Sequence, residues 1–383
     1  MTVRTLLARP LPAAAATTVV LLPLLFATVL IWTSGPSPEP VDFTWFGPGG
    51  AELLTGRWNS VFGEPAVQAG PFELLPFGLA QVLGVSGVLG WTVVLTASAA
   101  ASAFLTALVL RPRFAPDLRS SVLAAGGTLV VSLAGAAATW TLGHPAEALI
   151  PLLWVAAGRL ALRDRPVLAA VLVAASTGFE VWGVLGAPVV LLTAHPRFVR
   201  SALAGIAALA VLWLPFAVAG PFRMFSFAWP VLEHSLLHQL QPEATTFPWS
   251  LRVLQALVSV GAGTGVALLL RRRDRAWGPW AVTVAVVAGR LVLDPVLATY
   301  YWVPVLTGAT GALVLAAHRR DLLAAAVCSG ALLLAAETAS PVLRAAALVG
   351  LALVAAAAAS RRTGRHRLVR ASPLRRRQAL QDA

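Results

Sequence analysis

The sequence predicts an all-α polytopic membrane protein with about twelve transmembrane helices, and three observations predict it. The composition is 58% apolar with a mean hydropathy of +0.79, which leaves too little polar side chain to cover a water-exposed surface. Apolar runs of crossing length recur along the chain, divided by short polar breaks. When those runs are taken as spans, twenty-four of the 29 basic residues, all of them Arg, fall in seven tracts on one side, as the positive-inside rule requires. Arg57, Arg223, Arg252, Arg290 and Arg344 remain for the opposite face, with most carboxylates and histidines not beside an arginine tract. The formal charge of +13 does not indicate nucleic acid, because no arginine tract is interleaved with stacking aromatics. A lone Cys328 excludes an internal disulfide and a thiolate metal site.

The first span is expected at 17–32, uncleaved because no small-x-small site precedes Pro36 and Pro38. A first outer loop, 33–88, follows. The second span, 89–110, ends before Arg111, Arg113 and Arg119; the third, 122–142, leads to the tight outer turn Gly143-His144-Pro145. A fourth ends at Arg159, Arg163 and Arg165. Residues 166–193 are too long for one span and carry Gly178-Phe179-Glu180 in the middle, so they read as two short spans meeting at an outer turn. The seventh span is 202–218, followed by an aromatic outer loop, 220–249. Spans at 251–270, 277–292, 300–317, 322–336 and 342–359 complete one transmembrane domain, 1–360. An arginine-dense tail, 361–383, is expected to be cytoplasmic and disordered.

The segment 72–85 is apolar enough to resemble a span. Counting it as one would throw Arg111, Arg113 and Arg119 outward, and merging the two later short spans would still leave Arg159, Arg163 and Arg165 misplaced. It also contains Pro71, Glu73 and Pro76 at its start, so it is expected to lie along the outer surface. The stretch before it has the same character. Pro48 opens a helix, Gly56 closes it, and Phe46, Leu53, Leu54 and Trp58 approximate one face. The first outer loop therefore holds two juxtamembrane helices.

Chemistry is expected on the outer face. Asp42, in Val41-Asp42-Phe43-Thr44-Trp45, sits between aromatics at the end of the first span, a setting that suits a general base. Arg290 and Arg252 lie near span ends, at the depth of lipid headgroups, with pairing to Asp294 and snorkelling as their structural alternatives. Glu180 sits where two short helices meet, a place where irregular backbone borders a cavity in membrane proteins. His144 and Glu147 flank a tight turn, either bonding a sugar or capping the fourth span. His234 and His238 share a helical face but lack a third ligand, so no metal and no cofactor are expected.

Asp42-Phe43 followed by Gly50-Ala51-Glu52-Leu53-Leu54-Thr55-Gly56-Arg57-Trp58 resembles the first outer loop of bacterial GT-C glycosyltransferases, in particular the polyprenyl-phosphate-mannose-dependent mannosyltransferases. The resemblance extends to Gly143-His144-Pro145-Ala146-Glu147, where that family often has Gly-Gln-x-x-Asn. It extends also to Asp294-Pro295 through Tyr300-Tyr301-Trp302, where it often has Ser-Pro-x-x-Trp-x-x-Tyr. Two positions depart from the family: Gly70-Pro71-Phe72-Glu73 replaces an aromatic-Pro-Pro signature, and Glu180 stands where a lysine is typical. The resemblance implies a GT-C-like fold and a cell-membrane protein with both termini cytoplasmic. It implies inverting transfer of mannose or another sugar from a polyprenyl-phosphate donor to an outer-face lipid or glycan acceptor, with Asp42 as the base. Arg290, Arg252, Glu180, His144, Glu147, Arg57, Tyr300 and Tyr301 are the candidate donor and substrate contacts. A transporter or flippase of lipid-linked sugars and a catalytically silent glycan-binding scaffold are the alternatives. The predicted sidedness is testable: in a Cys328→Ser background, cysteines at Ser60 and Ser235 should react with an impermeant outer-face thiol reagent and one at Ser120 should not. Labelling of Ser120 but not Ser60 overturns the map.

Overall fold

The computed structural model describes residues 29, 43–85, 87–110, 121, 123–129, 131, 144–194, 197–233, 235–271, 276–296, 299–319 and 321. These are mostly helical and contain no strand, only the isolated bridges Ala69 to Glu180 and Pro230 to Thr246. The positions expected to hold the first, eleventh and twelfth spans and the basic tail lie outside the described residues, as do Asp42, His234 and Cys328. Among the described residues three helices are long and apolar enough to cross a membrane, α3 (Gly87–Leu110), α6 (Phe198–Ala219) and α8 (Trp249–Leu270). α6 is barely covered by protein, with Val199, Ile206, Val211 and Val218 exposed. So large an apolar surface is compatible with a helix that faces a membrane. Serine and threonine hydroxyls on these helices donate to the carbonyl one turn back, as Ser98 does to Val94 and Ser259 to Gln255, which removes a polar group where no water is at hand.

The first loop contains α1 (Phe43–Leu54) and α2 (Pro71–Val82). At twelve residues each, they reach roughly 18 Å, short of a bilayer crossing. α1 begins a turn earlier than Pro48 predicts, and its buried face is Phe43, Phe46, Gly47, Gly49 and Gly50, while Leu54 and Trp58 are exposed. The reason is a backbone-to-backbone crossing. A Cβ at Gly50 would fall on the Leu74 carbonyl and the Gly78 backbone, and one at Gly78 on Gly50. The glycines, not the large apolar residues, decide which face turns inward.

The segment 166–193 divides as its glycine break predicts, into α5 (Pro166–Ser176) and a helix from Val181 to Leu192. The second piece is a 3-10 helix, longer than such helices usually run. Its sequence explains it, because Gly183, Gly186, Val189 and Leu192 are buried while Val184 and Ala187 are exposed, a three-residue repeat matching three residues per turn. α4 (Ala146–Leu162) supplies the surface it packs on. Trp154 of α4 donates its Nε1 to the Gly183 carbonyl at 2.8 Å, and a Cβ at Gly186 would strike its indole. α9 (Gly278–Val292), buried along nearly all its length, and α10 (Val303–His318) complete the core.

The bundle has two chemically different ends. At one, Arg159 donates to the Leu108 carbonyl (3.4 Å) and Arg271 to the carbonyls of Thr193 (2.9 Å) and Ala194 (3.3 Å). Asp164, in a left-handed turn with φ 56° between α4 and α5, accepts from the Ala194 N–H. The other end carries the starts of α4, α8 and the 3-10 helix and the end of α9. Gly50→Ala and Gly78→Ala are each expected to destabilise the detergent-solubilised protein by about 1–3 kcal/mol, as overpacked sites do. This is readable as a lower thermal midpoint. Gly261→Ala, where a Cβ meets nothing within 4 Å, should leave the midpoint unchanged or raise it.

Candidate functional site

At that second end, residues far apart in sequence surround a cavity of about 230 Å³. His144, Glu180, Trp182, Arg252, Gln255, Arg290, Asp294 and Tyr301 face it, with an aromatic rim of Phe225, Phe227, Trp229 and Trp249. Trp249 opens α8 and the rest of the rim belongs to the loop after α6, which carries the short α7 (Leu236–Leu240) and is tied down by backbone: Leu232 N–H donates to the Pro295 carbonyl (2.9 Å) and Arg223 N–H to that of Phe62 (2.8 Å). Gln68 adds a side-chain bond to the Met224 carbonyl at 2.6 Å.

Arg290, in the last turn of α9, does not pair with Asp294 one turn on. Its guanidinium donates three hydrogen bonds of 3.1–3.2 Å to the carboxylate of Glu147, at the start of α4. It also lies 4.1 Å from the Trp182 ring and 4.8 Å from the Tyr301 ring. Both charged groups are buried, so each neutralises a charge the other's helix carries into the interior. Gln255 of α8 donates to the Arg290 carbonyl at 2.8 Å and to Asp294 Oδ2 at 3.4 Å. Asp294 holds the following turn by accepting from the Val296 N–H at 3.0 Å.

Arg252 is different. Its guanidinium sits over Trp229 (5.0 Å), Phe247 (5.5 Å) and Trp249 (5.9 Å), and among the described residues it makes no carboxylate ion pair. An arginine held by ring faces keeps its in-plane donors available for an anion. Trp182 likewise carries a buried indole N–H that has no partner among the described residues.

A second polar group adjoins this one. His144 Nδ1 lies 3.0 Å from Glu180 Oε1, and its ring is stacked on Tyr300 at 4.6 Å and met edge-on by Phe46 at 5.7 Å. Glu73 of α2 is fully buried beside them; its Oε1 accepts from the Ala146 N–H at 3.3 Å and its Oε2 has no partner among the described residues. Burial, reinforced by the Glu180 charge, pushes the Glu73 carboxyl well above the usual carboxylate range.

Of the residues singled out from sequence, Arg290, Arg252, Glu180, His144 and Tyr301 face the cavity, and Glu147 and Tyr300 support it from behind. Arg57 does not belong to it: it is exposed in the turn after α1, with Nε 3.4 Å from Thr55 Oγ1. Glu73 was not expected there, although an acid inside an apolar run between two prolines signals a buried partner. Comparison with protein-family models, with curated proteins and with solved structures finds no match. The Glu147–Arg290 pair can be tested by deletion from one side and then both. Glu147→Ala should cost about 3–5 kcal/mol, because it strands a buried cation. Glu147→Leu combined with Arg290→Met should recover most of that loss in the thermal midpoint.

Proposed function

We propose that the protein is a membrane glycosyltransferase of GT-C-like architecture, with about twelve spans and cytoplasmic termini. It moves a sugar, mannose or another hexose or pentose, from a polyprenyl phosphate to a lipid or glycan acceptor on the outer face of the cell membrane. The observation that carries this reading is the pairing of two adjacent spaces of opposite character. The polar cavity presents Arg252 with free donors, carboxylates and ring faces. Beside it, an apolar groove of about 300 Å³ lies between α5, the 3-10 helix and α6, and shares Val184 with the cavity. A lipid phosphate has the same division: a charged head, a sugar that stacks on aromatics, and a long apolar tail. α6, exposed along its length, leaves the groove beside the surface that meets lipid.

In this reading Arg252 meets the donor phosphate, and its charge stabilises the leaving group as the bond from the anomeric carbon to the phosphate oxygen breaks. Asp42, immediately before α1, takes the proton of the acceptor hydroxyl as that oxygen attacks the anomeric carbon from the opposite side, so the configuration inverts. Phe46, one turn into α1, touches His144 in the cavity wall, so the helix that follows Asp42 abuts the site. Arg290 is occupied by Glu147 and shapes the wall rather than binding the phosphate. A transporter of lipid-linked sugars is less well supported. Among the described residues the ionisable side chains of the helices lie in first or last turns, not at mid-membrane where translocation sites sit.

The test is transfer of label from polyprenyl-phosphate mannose and its pentose and hexose counterparts by membranes containing the protein. Asp42→Asn should lower kcat by about 10²–10⁴, the usual contribution of a general base. Arg252→Gln should raise the donor KM by roughly 10–100-fold, the value of a hydrogen bond to a charged group. Wild-type turnover in Asp42→Asn, or no transfer from any of these donors, overturns the proposal.

A further inference from the structure

Glu73, His144 and Glu180 come from three separate segments, α2, the residues before α4, and the turn between α5 and the 3-10 helix. One ligand-type atom from each lies within 4.8 Å of the other two. The geometry points to a divalent metal site at this cluster, binding zinc or manganese through two carboxylates and one imidazole. Three features argue for an ion over a simple hydrogen-bonded group.

The first is the stranded oxygen. Glu73 is 1% exposed and its Oε2 meets no donor among the described residues, although buried carboxylate oxygens ordinarily find partners. A cation at the centre of the cluster supplies one. The second is size. Zinc takes carboxylate oxygen and imidazole nitrogen at about 2.0–2.2 Å, so its ligand atoms stand roughly 3–4 Å from one another. His144 Nδ1 and Glu180 Oε1 are already 3.0 Å apart, and the Glu73 oxygen lies within 4.8 Å of the other two ligand atoms. The third is preorganisation. The imidazole is clamped between Tyr300 and Phe46, and the Glu73 carboxylate is anchored by the Ala146 N–H, the outer support that orients ligands in metal sites.

Once an ion displaces the Glu73 proton, two glutamates and a neutral imidazole would present two negative charges, which a divalent ion balances. Mixed nitrogen and oxygen ligation suits zinc or manganese better than calcium, which prefers oxygen alone. His144 and Glu180 face the cavity while Glu73 lies behind them, so the open positions of the ion point to where a ligand would sit. The ion would also lock α2 to the start of α4. The site stands whether or not the protein transfers sugars, and its test involves no turnover.

The full-length protein, purified in detergent, stripped with a chelator and reloaded separately with Zn²⁺ and Mn²⁺, should retain one ion per chain by elemental analysis, with a raised thermal midpoint. Glu73→Gln and Glu180→Gln should each weaken binding by at least about tenfold, since even outer-shell changes cost that much. Glu243→Gln, at an exposed position, should bind as wild type. In the stripped protein Glu73→Gln should melt no lower than wild type, because it removes one of two crowded carboxylates; only the gain on metal addition should vanish. If Glu73→Gln does not fold, Glu180→Gln and the loss of cobalt ligand-field absorption in His144→Ala carry the test. No bound ion after reloading with either metal, or undiminished binding in the glutamine variants, overturns the site.

Discussion

The buried Glu147–Arg290 pair is the constraint on which the cavity end of the bundle depends. The two residues are 143 positions apart, yet the guanidinium touches most of the segments that form the cavity. It meets the start of α4 through Glu147, the 3-10 helix through Trp182 and the segment before α10 through Tyr301, while Gln255 of α8 binds the carbonyl of the same residue. A buried ion pair is weak as a source of net stability, because its Coulomb energy is offset by desolvation. It is strong as a key. Any sliding of α9 against α4 separates two charges in a medium that cannot hydrate them, so alternative registers are costly where apolar contacts alone would permit them.

The second constraint is made of backbone. The Phe72 N–H donates to the Gly178 carbonyl at 2.7 Å, and the Gly70 N–H bonds to Phe179. The segment before α2 is thus stapled to the turn between α5 and the 3-10 helix. Neither chain can approach so closely with a side chain in the way: a Cβ on Gly70 would strike the Gly178 carbonyl, and one on Gly178 the Phe72 ring. This staple delivers Glu73 to Glu180, and Phe46, carried on the helix packed against α2, to His144. The polar cluster is a consequence of two glycine contacts rather than of any local motif.

That difference explains what could be seen in the sequence. Apolar length and arginine tracts are local, and they located α6 and α8 to within a few residues of 202–218 and 251–270 and divided 166–193 at its glycine break. The 3-10 geometry was also written locally, in the spacing of Gly183, Gly186, Val189 and Leu192, but helix-period reading passes over a repeat of three. The start of α1 was misplaced because Pro48 was given the role of a boundary, while Gly47, Gly49 and Gly50 were specifying a close crossing. His144, Glu147, Glu180, Arg252 and Arg290 were found because a polar residue at the end of an apolar run is conspicuous, and Tyr301 through the family resemblance. Their pairings were not, since no periodicity connects Glu147 to Arg290 or Glu73 to His144. Arg57 passed the same filter and is solvent-exposed, which shows that position near an apolar run does not by itself bring a side chain inward.

Arginine serves opposite purposes at the two ends, and the partners within reach decide which, since Arg159 and Arg290 are both buried. Arg159 and Arg271 reach carbonyls that terminate α3 and the 3-10 helix, where the helix dipole favours a cation and unbonded oxygens need donors. Those contacts are available at the end of any helix, so that end tolerates many arginines and asks little of their positions. At the cavity end each arginine must find a partner matched to its own surroundings, a carboxylate for Arg290 and ring faces for Arg252. Among the described residues these are the two arginines that line the cavity, and each is held in place. An arginine that finishes a helix can be accommodated wherever a helix ends, whereas one that enters the interior needs a fold built around it.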